Sequence, residues 1–246
     1  MNYKEREVFW PRSCPFRFLT LQVDGLGGIL TDDFCYTVEQ CVIPPFDSSE
    51  MLFSRLDAFA RCYDGPNKLG IIYYGRHAEE AEDSRGADLR FFARRTSRGT
   101  EAPSNCTVTN SLADVEVPES PVQTSSNDHG PPQSRIQFSK ICERLRGSEA
   151  DILTITDCCY AGGAFTQRPF GGRKCELICS IAERNLALGP GQEGSFTHLL
   201  NQTLVKMIKE DQIGFSTSDL YRRIYFQQNH YRRPLLFDKT NCESSK

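Results

Sequence analysis

The sequence predicts an α/β protein, a three-layer sandwich around a mostly parallel central sheet. Two short β-prone runs, Leu69 to Tyr74 and Asp151 to Asp157, are rich in β-branched and aromatic residues, and the first lacks polar alternation, as expected of a strand covered on both faces. Segments with apolar residues at helical spacing stand between and after them, and strands alternating with helices build parallel sheets through right-handed crossovers. The chain has 246 residues, 39% of them hydrophobic, which is enough to bury such a core without disulfide or metal staples.

Taken in order, Phe16 to Val23 alternates apolar and polar residues and is expected to be a first strand, stopped by a turn at Asp24-Gly-Leu-Gly-Gly28. That glycine run lacks the third glycine of a dinucleotide fingerprint at its required spacing, so it reads as a turn and not as a nucleotide loop. Met51, Leu52, Leu56, Phe59 and Ala60 predict a helix from Ser48 to Cys62, with Ser48 or Ser49 as its cap and Asp64-Gly65-Pro66 as its stop. The run Leu69 to Tyr74 follows as a strand, and Ala87 to Ala93 as a shorter one. Between residues 96 and 134 proline, serine, threonine and asparagine replace bulky apolar residues, so this stretch is expected to be a loop or disordered insertion. Ile136, Ile141, Cys142 and Leu145 mark a helix ending at Gly147. The strand Asp151 to Asp157 comes next, then a third β-prone run from Cys175 to Ile181. Ser195 is placed to cap a helix carrying Phe196, Leu200, Leu204 and Met207, and Ser216 with Asp219 forms a capping-box variant before Leu220 and Ile224. One domain over 13–238, interrupted by 96–134, accounts for all of these elements.

Composition narrows the function classes. The 32 acidic and 29 basic residues leave a net charge of -3, so nothing favours binding to nucleic acid or to an anionic membrane. No run approaches the roughly 18 apolar residues of a membrane span. The first residues carry charge without the roughly 7–15 apolar residues of a secretory signal, and cytoplasmic placement with reduced thiols is the expectation. The eleven cysteines include no Cys-x-x-Cys pair. Cys175 and Cys179 stand four apart with no second pair to complete a zinc site, so no metal site is expected there and buried, inert thiols are.

Chemistry is expected where strands of a parallel sheet end, because ligands gather beyond their carboxyl ends. The run from Leu69 leads through Gly75 and Arg76 to His77, and the run from Ile152 leads through Asp157 to Cys158 and Cys159. If these strands are parallel, a thiol and an imidazole emerge on one edge of the sheet. Such a pair supplies a nucleophile and the base that activates it.

These blocks resemble the caspase-like cysteine peptidases, the metacaspases and fungal caspase-like domains in particular. Ile71-Ile-Tyr-Tyr-Gly-Arg-His77 is similar to the family's histidine motif, commonly Y-Y-x-G-H-G, and Asp157-Cys-Cys-Tyr-Ala-Gly162 to its cysteine motif, D-x-C-x-[SA]-G. Cys179 to Arg184 and Gly194-Ser-Phe-Thr197 resemble a later strand and the helix after it. The resemblance implies a caspase-like fold and an endopeptidase with Cys159 as nucleophile, Cys158 as its buried neighbour and His77 as imidazole partner. It further implies an oxyanion hole built from the backbone N–H groups of Ala78 and Cys159, a thioester acyl-enzyme, and Asp157 as the acid of a pocket for Arg or Lys before the cut. Protein or peptide substrates and self-association are the partners it implies. Calcium is a cofactor that the family often uses, although Asp32, Asp33, Glu79, Glu80 and Asp83 form no Asp-x-Asp-x-Asp-Gly loop. Where the family carries glycines beside the histidine this chain has Arg76 and Ala78. The alternative implied by that difference is a catalytically inactive caspase-like module for signalling or interaction.

Overall fold

The computed structural model describes residues 6–12, 17–43, 47–75, 78–83, 86–92, 135–166, 174–181, 187–188, 192–210, 214–228 and 232–238. Six strands form the main sheet: β1 (Arg6–Arg12), β2 (Tyr36–Val42), β3 (Leu69–Gly75), β7 (Asp151–Asp157), β8 (Cys175–Cys179) and β9 (Leu235–Asp238), in the spatial order β2-β1-β3-β7-β8-β9. All neighbours are parallel except the terminal β8–β9 pair, which is antiparallel. Strands β4 (Ala78–Asp83), β5 (Gly86–Phe92) and β6 (Arg135–Gln137) make a separate three-stranded antiparallel sheet. The helices are α1 (Arg17–Gly28), α2 (Ser48–Tyr63), α3 (Phe138–Leu145), α4 (Phe196–Glu210) and α5 (Thr217–Gln227).

The sandwich follows from side chains that alternate across strands buried on both faces. Ile72 and Tyr74 of β3, with Ile152 of β7, pack toward Leu52, Leu56 and Phe59 of α2 and Phe138, Ile141 and Leu145 of α3. Ile71 and Tyr73, with Leu153 and Ile155, pack toward Val23 and Leu26 of α1, Leu200 and Leu204 of α4, and Leu220 and Ile224 of α5. Because every position of β3 from Gly70 to Tyr74 is buried, the run shows no polar alternation. The small sheet is fastened to the large one by aromatic contact: Phe91 stacks on Tyr74 with centroids 3.7 Å apart, and meets Phe138 edge-on at 5.8 Å. Buried Asp88 of β5 accepts from the Ser139 hydroxyl at 2.7 Å and the Ser139 amide at 3.2 Å, tying β5 to the start of α3.

Several expectations are corrected. Of the strand expected over Phe16 to Val23, the described residues from Arg17 onward are helical, and the glycine run after them is not a turn; Arg17 to Gly28 is helix α1, continued by a π-helical turn at Ile29–Asp33. The deciding pattern is Val23, Leu26 and Leu30, all buried at helical spacing, with Asp24 and Gly25 exposed. Gly25 has a packing reason, since a Cβ there would lie 3.3 Å from Asn201 Nδ2 of α4. That same amide donates to the Gln22 carbonyl at 2.9 Å. The sheet takes in β1, ahead of the boundary expected at residue 13, and β2, both of which sequence patterning missed. Pro11 argues against a central strand, but β3 pairs only with Arg6 to Phe9, so Pro11 lies past the stretch bonded on both sides. Helix α2 is preceded by Asp47 in the left-handed region (φ 52), without a side-chain cap, and Ser48 is buried in its first turn. Residues 135–137 are strand β6 and not the start of a helix. The capping box of Ser216 and Asp219 is present in both directions. Ser195 Oγ accepts from the His198 amide at 3.4 Å at the start of α4. The 96–134 stretch lies outside the described residues. Among the described residues no helix is long and apolar enough to cross a membrane.

One carboxylate fixes the approach to β7. Asp64, just past α2, accepts at Oδ1 from the amides of Gly65 (2.9 Å), Glu149 (2.7 Å) and Ala150 (2.9 Å) and from the Ser148 hydroxyl (2.7 Å). Burial alone would raise its pKa, but the bonds from Ser148 and these amides outweigh that and hold the carboxyl below its ordinary range. Its stabilising contribution is therefore full above the ordinary carboxylate pKa and lost as pH falls through the depressed one. Asp64→Ala should cost about 2 kcal/mol at neutral pH, read by urea denaturation. The difference from the wild type should shrink toward pH 3, and an undiminished difference there would count against this account.

Candidate active site

The register of β3 on β7 places the two expected strand ends together. Gly75 pairs with Asp157, and both strands run toward the same carboxyl edge. His77 and Arg76 lie outside the described residues; in the sequence His77 stands two residues beyond Gly75, as Cys159 stands two beyond Asp157. Ala78 opens β4 opposite Phe91 and is 6% exposed.

After Asp157 the chain leaves the sheet abruptly. Cys158 is 2% exposed and Cys159 is half-buried. Tyr160 takes a left-handed conformation (φ 59), costly for a bulky residue and found where surroundings over-determine the backbone. Those surroundings are visible: a 3₁₀ turn begins at Ala161, whose carbonyl accepts from Cys179 Sγ at 3.1 Å, and the Cys158 carbonyl accepts from Ser180 Oγ at 3.4 Å. Burial pushes the Cys158 thiol well up, and the nearby Cys179, Asp157 and Cys159 add to it. Cys158 is thus held protonated and inert. Cys175 and Cys179 are buried as well.

Asp157 is 2% exposed. Its Oδ2 accepts from the Thr197 amide at 3.2 Å and from the Thr197 hydroxyl. Since a threonine has one hydroxyl proton, the Tyr73 hydroxyl must donate to Thr197 Oγ1. A buried chain, Tyr73 to Thr197 to Asp157, thereby joins β3, α4 and β7. Thr197 lies in the first turn of α4, where free amides favour a carboxylate. Asp157 Oδ1 is buried without a hydrogen-bonding partner among the described residues. The side chain also lines a narrow crevice with Ser180, Gly194, Gln228 and Arg232. Burial raises the Asp157 pKa from an ordinary 3.8 to about 6, against the opposing pull of the Thr197 hydroxyl and amide and, more weakly, of the nearby Ser180 hydroxyl. Gly75 is required beside this chain, because a Cβ there would come within 2.7 Å of the Tyr73 ring.

Tyr73, Thr197 and Ser180 were not singled out for the site by sequence reasoning. Thr197 is 40 positions from Asp157, and no local pattern links the two. Among the described residues no group of three or more His, Cys, Asp or Glu side chains could hold a metal ion. Glu79 instead pairs with Arg135 at 3.4 Å and Arg90 at 4.0 Å. The described residues therefore do not fit a calcium site. His198 of α4 bonds to Gln202 at 2.9 Å, away from the thiol loop.

No family model and no curated protein matches the sequence. Among solved structures the chain is similar to protein GSU0716 from Geobacter sulfurreducens, with a TM-score of 0.59 and 9% identity over 98% of this chain and 95% of that one. At that identity the likeness concerns the fold: an α/β protein with a mostly parallel sheet between layers of helices.

The Asp157 shift has a definite sign. The folded pKa of about 6 exceeds the unfolded value near 3.8, so the folded chain holds more protons between them. Stability therefore falls as pH rises from about 4 to about 6, by on the order of 3 kcal/mol, and is level above that. Asp157→Asn should remove this slope and be more stable than the wild type at pH 7.5, with the two closer at pH 4. Urea unfolding at both pH values measures it; a variant less stable than the wild type at pH 7.5 would contradict the buried-charge account.

Proposed function

We propose that the chain is a caspase-like cysteine endopeptidase that cleaves after Arg or Lys, acting on protein or peptide substrates in the cytoplasm, with self-association of copies as a further feature. The observation that carries this reading is the pairing of Gly75 with Asp157 at the carboxyl edge, with an accessible thiol at Cys159 two residues on and a histidine two residues beyond Gly75 in the sequence. The free thiols among the described residues are consistent with a reducing compartment.

In this reading His77 takes the Cys159 proton and the thiolate attacks the peptide carbonyl. The oxyanion is met by the backbone N–H groups of Ala78 and Cys159. Collapse to the thioester expels the amine, protonated by His77, and water then releases the acid and restores the thiol. Asp157 supplies the negative charge for a basic side chain before the cut; a buried carboxylate with one unpartnered oxygen gains most from a cation. No step runs through calcium.

A second reading, the inactive caspase-like module, is favoured by Ala78. It is buried where the family has glycine, so its side chain occupies space beside the backbone that would bind an oxyanion.

Fluorogenic peptides ending in Arg, Lys or Asp separate the two readings. The peptidase reading expects cleavage of the Arg and Lys peptides over the Asp peptide, a loss of at least about 10³-fold in Cys159→Ala, and turnover within a few-fold of the wild type in Cys158→Ala. Equal residual turnover in the wild type and Cys159→Ala, together with no labelling of Cys159 by a thiol-directed acyl probe, would select the inactive module.

A further inference from the structure

On the face of the sheet that carries α1, α4 and α5, the core does not close. A cavity of about 180 Å³ lies between the sheet and these helices, walled by side chains such as Leu30, Phe34, Ile71, Ile155, Leu204 and Phe215. On the opposite face, the cavity among Leu52, Leu56, Phe138 and Ile141 of α2 and α3 and Ile72 and Tyr74 of the sheet holds only about 10 Å³. Protein interiors are close-packed, and an apolar void of this size forfeits dispersion contacts on every wall. Cavities of about 150 Å³ lined by Leu, Ile and Phe stay dry and accept benzene or xenon.

We infer that this cavity is a binding site for a small, uncharged, apolar molecule the size of a single aromatic ring. The walls give the class. Among the described residues that line it none is charged, and the hydroxyls come from Tyr36, Tyr73 and Thr217. That of Tyr73 is already engaged by Thr197. A carboxylate or ammonium would be desolvated there without a partner, which burial makes expensive. The walls come from β3 and β7 on one side and from the π-helical turn, α4 and the segment before α5 on the other, so an occupant would restore packing between layers that otherwise meet across a gap. The inference is independent of the peptidase reading.

Thermal unfolding of the full chain tests it with toluene, benzoate and benzylammonium, which share a ring and differ in charge. Toluene near saturation should raise Tm by about 3 °C, and the two ions at the same concentration should leave it unchanged. Methyl NMR locates the site without a variant: toluene should shift the methyls of Leu30, Ile71, Ile155 and Leu204 and leave those of Leu52 and Leu56 in place. Leu204→Phe, which narrows the cavity without filling it, should reduce the toluene effect. No toluene shift, an equal shift with the ions, or perturbation confined to the α2 face would each overturn the proposal.

Discussion

The in-register parallel pairing of β3 with β7 is the constraint on which the rest of the structure depends. It runs unbroken from Leu69↔Asp151 to Gly75↔Asp157. Because both strands are covered on both faces, a slip of one residue would exchange the side chains packed on α2 and α3 for those packed on α1, α4 and α5. The register is thus locked by two cores at once. Whatever follows Gly75 and Asp157 leaves the sheet at one edge, and the thiol loop inherits its position from that pairing.

The same edge carries an electrostatic load. Asp157 sits where the strand ends, out of water, and is tolerated because the first turn of α4 offers it an amide and a hydroxyl. Tyr73 closes the chain from the neighbouring strand. The helix on one face and the two central strands are therefore joined through a carboxyl that burial keeps reluctant to ionise. Such perturbed groups concentrate at functional sites. The strained turn at Tyr160, held by Cys179 and Ser180 of the next strand, has the same character: local cost maintained by surrounding order.

Much of this was legible in the residues. Leu69 to Tyr74 declared a buried strand through uninterrupted apolar and aromatic character, Asp151 to Asp157 a strand through its β-branched residues, α2 declared itself by spacing, and α4 and α5 by spacing and capping. That both strand ends meet at one carboxyl edge followed from reading these strands as parallel neighbours. Patterns failed where tertiary context outweighed local signal. The alternation read up to Val23 yielded to helix α1 from Arg17 onward, because Val23, Leu26 and Leu30 bury along one face. The strand β1 was hidden by Arg6, Glu7, Pro11 and Arg12, acceptable because only its first half is paired on both sides. Thr197 could not be read as a partner of Asp157, since a contact across 40 residues leaves no periodicity.

By itself the sequence determined the helices α2, α4 and α5, the strands β3, β7 and β8, the burial of β3 on both faces, and the candidate thiol and carboxyl at the strand ends, because these rest on side-chain period and local chemistry. Only the tertiary structure decided which strands are neighbours, that Cys158 is buried while Cys159 is only half-buried, and that Asp157 is bound to the start of α4. Those depend on register and on contacts between segments far apart in the chain, where the free energy of packing and desolvation is set by neighbours that no local stretch of residues specifies.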